Sequence, residues 1–136
     1  YYQLNYKPDK DSAKIVEKGD LLYALYGANS GELAISKMSG AINQAILCIR
    51  NEECIEYLYY ILLLNKDIIV AKYLQGGQGN LSAQIIKRLK YKFPTLPEQQ
   101  KIANFLSSID AKIENTIGEL EKIQLFKKGL LQQLFV

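Results

Sequence analysis

Counting in alternating steps of four and three from Ile102 lands on Leu106, Ile109, Ile113, Thr116, Leu120, Ile123, Lys127, Leu130 and Leu134. Only Thr116 and Lys127 among these positions are polar. A seam of that spacing, held over more than four heptads, predicts one long helix that presents an apolar stripe to another helix. Its start is marked by Thr95 and Glu98, a T-x-x-E capping box, with Pro97 in the first turn where a missing N–H costs nothing. At ~1.5 Å per residue the helix is about 55–60 Å long. A chain of 136 residues has no core of that length. Much of the seam is therefore expected to pack outside the globular part, with Ile102, Leu106, Ile109, Ile113, Leu120, Ile123, Leu130 and Leu134 as the assembly residues. Phe105, Ile117, Leu125, Phe126 and Leu131 widen the stripe, which suits contact with more than one surface. Gly118 and Gly129 each weaken a helix by ~1 kcal/mol relative to alanine. The plainer alternative is a surface helix folded back on its own domain.

The remainder divides into short elements. Tyr1 to Asp11 is tyrosine-rich and loop-like, with Pro8 as a breaker. Leu21 to Tyr26, Glu32 to Ser36 and Ala45 to Arg50 have the apolar, aromatic texture of strands. Lys18-Gly19-Asp20 signals the turn before the first of these, and Gly27-Ala28-Asn29-Ser30-Gly31 the loop after it. Ile55 to Leu74 predicts one bent helix or two short ones, interrupted at Asn65-Lys66-Asp67. Leu89, Tyr91 and Phe93 alternate with Lys90 and Lys92, the period of a half-buried strand. The expected fold is α+β: a small mixed or antiparallel sheet with short helices over residues 1–94, then a long coiled-coil helix over residues 95–136.

Composition narrows the chemistry. Apolar residues make up 49% of the chain, which fits a folded domain, and the net charge of +3 leans only mildly toward polyanions. The longest apolar run, Tyr57 to Leu64, is too short to span a bilayer, so no membrane partner is expected. Cys48 and Cys54, without a signal peptide, read as reduced thiols of a cytoplasmic protein. The chain opens on Tyr1 and its single methionine is Met38, so it is expected to be part of something longer.

The chain has no histidine and no CxxC, so a zinc site would have to be built from carboxylates and no metal is expected, and no histidine is present to serve a nucleophilic serine. Gly76-Gly77-Gln78-Gly79 lacks the Lys-Ser/Thr that closes a phosphate-binding loop. No glycine fingerprint for a dinucleotide follows a predicted strand. Neither a Glu-x-Lys nuclease pair nor an aspartate–proline–proline–tyrosine methylation motif occurs. The expectation is a non-catalytic protein without cofactor.

Amides and hydroxyls on glycine-rich loops suit a different task. Asn and Gln make paired hydrogen bonds to adenine, while Lys and Arg bind guanine or phosphate. The candidates for base reading are Asn29 and Ser30, then Gln44, then Gln75, Gln78 and Asn80. Ser82, as N-cap of a short helix from Ala83 to Leu89, together with Lys87, Arg88, Lys90 and Lys92, forms the phosphate-binding candidate set. Each has a structural alternative: Ser82 and Asn80 as helix caps, Asn43-Gln44 as a turn, and the lysines as a solvated strand face.

Taken in order, these segments resemble the specificity subunit of type I restriction–modification systems. The resemblance rests on Gly19-Asp20-Leu21-Leu22 with Gly27 to Gly31 and Leu33-Ala34-Ile35, on Ala41 to Leu47, and on Glu56 to Tyr60. It continues in Asn80-Leu81-Ser82, in Phe93 to Ala103 (FPTLPEQQKIA), in Leu106 to Asp110, and in Lys127 to Leu134 (KKGLLQQL). It covers Ile15 to Val136 and identifies the later part of a target recognition domain plus its long helix. The resemblance implies that the chain reads one half of a bipartite double-stranded DNA target. It also implies that methyltransferase and restriction subunits supply the chemistry. The long helix is then a spacer that pairs with a second copy or with the second half of the same subunit. Competing readings are a coiled-coil protein-interaction module that binds no DNA, the recognition fragment of a fused DNA methyltransferase, and a silent cassette.

Overall fold

Alternation along Leu21-Leu22-Tyr23-Ala24-Leu25 sends Leu21, Tyr23 and Leu25 to one side, and all three are buried. In the computed structural model, which describes residues 14–50, 53–74 and 81–135, this segment is the central strand of a three-stranded antiparallel sheet. The strands are β1 (Lys14–Val16), β2 (Leu21–Ala24), β3 (Leu33–Ile35), β4 (Gly40–Ile42) and β5 (Ile46–Ile49). The sheet order is β3-β2-β5, and β1 pairs with β4 in a separate two-stranded sheet. Register places Leu21 opposite Ile35 and Ile49, and Tyr23 opposite Leu33 and Leu47. One face of the sheet thereby becomes a continuous apolar layer.

Four helices follow: α1 (Ile55–Leu64), α2 (Lys66–Leu74), α3 (Ala83–Arg88) and α4 (Leu96–Leu134). Leu58 and Leu62 of α1, Ile69 of α2 and Ile86 of α3 close the core over the sheet. Each buried leucine of this kind contributes roughly 1.5–3 kcal/mol. The sequence left one bent helix or two for Ile55 to Leu74, and the chain forms two. Asn65 ends α1, its side-chain Nδ2 donating to the Ile61 carbonyl at 2.7 Å, and its own carbonyl accepts from Ile69 N–H at 2.9 Å.

One expectation needs correction, and one feature adds to the expected fold. Leu89 to Phe93 is no strand, since Tyr91 alone makes an isolated bridge. The alternation nevertheless reported the faces. Leu89, Tyr91 and Phe93 pack on the core while Lys90 and Lys92 are exposed, and Phe93 sets its ring 5.5 Å from that of Tyr57. An extended segment closed off by Pro94 alternates its side chains without offering a ladder. The β1–β4 ribbon was not anticipated, because Gly40-Ala41-Ile42 is too short to carry a periodic signal. Tyr1 to Asp11, Gln75, Gln78 and Asn80 lie outside the described residues.

Asp20 fixes the start of β2. Its carboxylate accepts from Arg50 Nε at 2.9 and 3.0 Å, from the Glu17 N–H at 2.7 Å and from the Cys48 thiol at 3.3 Å. Arg50 Nη2 also donates to the Ile15 carbonyl at 3.2 Å, so one guanidinium ties the end of β5 to β1. Gly19, at φ +96°, makes the turn that presents the carboxylate. Burial pushes the Asp20 carboxyl up, but Arg50, the Glu17 amide and Cys48 together outweigh it and hold the group below its ordinary value of 3.8.

The chain divides into two compact units, one ending at Gln100 and one from Lys101 onward. Within the first, Thr95 N and Oγ1 both donate to Glu98 Oε2, at 2.9 and 2.8 Å, and Gln99 Nε2 donates to the Pro94 carbonyl at 3.0 Å. The two Thr95 bonds, the hydroxyl's first, hold the Glu98 carboxyl below its usual range. The Pro-x-Leu-Pro-Glu-Gln stretch thus builds the start of α4. In the second unit α4 is a continuous helix on which Ile109, Ile113, Ile117, Leu120 and Ile123 are all exposed.

Replacing Asp20 by Ala leaves Arg50 and the Glu17 N–H without their carboxylate, and is expected to cost roughly 1.5–3 kcal/mol in urea unfolding at pH 7. Because the folded-state carboxyl titrates below its ordinary value, that stabilisation is present above about pH 5 and is lost as pH falls below about 4. Unfolding of wild type and Asp20→Asn across that range therefore gives a stability gap that closes at the acid end.

Candidate nucleic-acid interface

Leu25 follows the last residue of β2 and is 2% exposed, so its backbone groups require partners inside the protein. Its N–H donates to the Ala45 carbonyl at 2.7 Å, continuing the β2–β5 pairing by one step into the loop before β5. Its carbonyl accepts from Ser30 Oγ at 3.0 Å, which belongs to the β2–β3 loop. The same carbonyl accepts the Leu81 N–H at 3.0 Å, where the chain enters α3. One residue thus gathers the Gly27–Gly31 loop, the Asn43–Ala45 loop and the segment leading into α3 at one end of the sheet.

The β2–β3 loop is held tightly. Gly31 N–H donates to the Ala24 carbonyl at 2.8 Å, Ser30 N–H to Gly27 at 3.1 Å and Glu32 N–H to Asn29 at 2.9 Å. Gly27 and Gly31 take φ of +79° and +91°, a region that favours glycine. At Gly31 there is also no room, since a Cβ would stand 2.5 Å from Val70 Cγ2 of α2. The pairing of Lys66 on α2 with Glu32 clasps the loop to that helix.

The predicted residues separate into two groups on this frame. Asn29 and Gln44 are exposed, and their amides make no hydrogen bond among the described residues. Ser30 is half-buried and its hydroxyl already donates to Leu25, so its part is to shape the loop. Asn43 forms the turn, its Oδ1 accepting from Ala45 N–H at 3.0 Å. Ser82 caps α3, accepting the Ile85 N–H at 3.3 Å. Lys87 and Arg88 occupy the last turn of α3, where positive charge suits the free carbonyls. Arg88, Lys90 and Lys92 are exposed.

Residues that the sequence alone did not single out include Leu25, Lys66, Val70 and Arg50. Lys66 and Val70 gave no signal, because a helix face that receives a distant loop looks like any other. Arg50 ends an apolar strand, and a lone cation there was a usable hint of the buried Asp20. Buried Tyr23 has no hydrogen-bond partner for its hydroxyl among the described residues. Burial, then the neighbouring Tyr91, pushes its phenol up to about 12, so it stays neutral and offers no acid–base chemistry. Among the described residues no cluster of three or more His, Cys, Asp or Glu could hold a metal ion, and no helix is long and apolar enough to cross a membrane.

Residues 4–125 match the type I restriction modification DNA specificity domain. The type I restriction enzyme MjaVIII specificity subunit of Methanocaldococcus jannaschii is 28% identical over 124 residues, which covers 89% of this chain and 29% of that protein. The MjaIX specificity subunit of the same organism is 34% identical over 129 residues, covering 92% of this chain and 30% of the relative. The chain therefore spans under a third of the length of these relatives.

Gly31→Ala is expected to destabilise the fold by roughly 1–3 kcal/mol through backbone strain, with the clash against Val70 added to it. On a Val70→Ala background the same substitution costs less, because the clash is gone while the strain stays. Chemical denaturation of the two single variants and the double variant measures that coupling.

Proposed function

The chain belongs to the type I restriction modification DNA specificity domain family, and we propose that it reads one half of a bipartite double-stranded DNA target through the loops gathered around Leu25. The single observation that carries this reading is the convergence of the loops on one buried residue, which leaves the amides of Asn29 and Gln44 exposed. Amides carried on loops of fixed position suit base edges, because a bidentate contact needs both atoms in register with the base. Gln75, Gln78 and Asn80, which precede Leu81 in sequence, are assigned to the same task, as is Ser30 through the shape it gives its loop. Ser82, Lys87, Arg88, Lys90 and Lys92 are assigned to phosphate, where they fix position without reading sequence.

On this reading the chain is not itself a catalyst and needs no cofactor. Methyltransferase and restriction subunits perform the chemistry at a site the specificity subunit selects, in the cytoplasm. The exposed stripe on α4 serves as the spacer, pairing with a second copy or with the second half of the specificity subunit. The length of the relatives supports these two possibilities equally, since they are more than three times as long as the matched region.

Two measurements test this. The full-length protein, assembled with its partner subunits, should bind a duplex carrying its target with an affinity that falls steeply with salt. Replacing Arg88, Lys90 or Lys92 by Ala should lower the slope of log affinity against log salt by about 0.9 for each phosphate no longer neutralised. Binding without salt dependence, or no preference for any duplex, would favour the coiled-coil interaction module instead. For the spacer, light scattering on the chain itself compares wild type with an Ile113→Glu, Leu120→Glu double variant. A dimer that becomes a monomer supports self-pairing through α4, and a monomer in both cases assigns the stripe to the other half of the subunit.

A further inference from the structure

The residue after Leu25 is not among the amides and cations assigned above. Tyr26 lies between the buried Leu25 and Gly27, and the residue is 40% exposed. The strand alternation that turns Leu25 inward turns Tyr26 outward, and the left-handed Gly27 begins the loop immediately afterwards. Its side chain makes no ring contact or hydrogen bond among the described residues. The backbone bonds from Leu25 to Ala45, Ser30 and Leu81 therefore fix the chain at the base of a part-exposed aromatic side chain with no hydrogen-bond or ring partner among the described residues. A tyrosine combines an apolar ring with a polar tip, and such side chains usually find a partner for both.

Resting on the DNA-reading proposal, we infer that Tyr26 is a nucleotide-contacting residue at the centre of the loop face, packing its ring against the apolar side of a nucleotide, sugar or thymine methyl. The charged candidates are assigned to phosphate and the amides to edge hydrogen bonds, which leaves the apolar contact to the aromatic ring. A ring held by two rotatable bonds on a fixed strand end loses little freedom on binding, so the contact adds affinity and a preference at one position of the half-site. The hydroxyl, without a partner among the described residues, can donate to a phosphate but is the lesser part of the contact.

The test uses the full-length protein in its complex, with the target first read from the methylation pattern it leaves on genomic DNA. Affinity for a duplex carrying that target is then compared with affinity for a scrambled duplex. Tyr26→Ala should weaken target binding about tenfold or more, while Tyr26→Phe stays within about threefold of wild type. A photoreactive phenylalanine analogue at position 26 should crosslink to the target duplex, whereas the same group at the exposed Leu64 should not. The crosslink does not depend on how well the alanine variant folds. If wild type discriminates the target while Tyr26→Ala binds equally well and position 26 gives no crosslink, the inference is wrong and the DNA-reading proposal stands. If wild type shows no preference between the duplexes, both fall.

Discussion

Both backbone groups of Leu25 serve segments other than their own. A residue just past a strand end ordinarily turns its amide and carbonyl to solvent. Here the side chain is buried, so water is excluded and the peptide must be satisfied from within the protein. The partners are Ser30 in the loop that follows, and Ala45 and Leu81 from farther along the chain. The polar surface at this end of the sheet follows from that constraint. Loops that meet at one residue are held at fixed separations, which a sequence-reading surface requires and which glycine-rich loops alone do not provide.

The two ends of β2 are secured by different sets of contacts. At the start, Asp20 and Arg50 join the turn, β5 and β1 through charge-assisted bonds. At the finish, backbone bonds, the Gly31–Val70 approach and the Lys66–Glu32 pair hold the loop, leaving the side-chain amides of Asn29 and Gln44 without hydrogen-bond partners among the described residues. A strongly paired end bears the fold, and an end whose polar side chains are unclaimed is available for a ligand. The helix α2 takes part in both the core and the loop, because Ile69 is buried in the core while the neighbouring Val70 and Lys66 receive Gly31 and Glu32.

Much of this was legible in the sequence. The long helix and its capping box were plain, because a 3.5-residue apolar period and a Thr-x-x-Glu start are local signals. The glycine loop Gly27–Gly31 falls between strands as expected, and Asn65 interrupts the helical region. The β1–β4 ribbon was not legible, since three-residue strands carry no period. Leu89 to Phe93 showed strand alternation without a ladder, because alternation reports which side chains face the core and not whether the backbone finds a partner. At the candidate interface, residue chemistry nominated the loops and already offered Ser82 as a helix cap, but only the structure separated Ser30, engaged with the Leu25 carbonyl, from Asn29 and Gln44. The contribution of Leu25 was invisible to sequence because it is made entirely by the peptide group.

Hydrogen exchange of the full-length complex, with and without its target duplex, addresses the loop face most directly. If the loops gathered on Leu25 form one DNA-reading surface, amides within residues 26–32, 42–46 and 81–82 slow together when the target duplex is added, and far less with a scrambled one. Protection confined to residues 101–135, or to α1 with these loops unchanged, would contradict it.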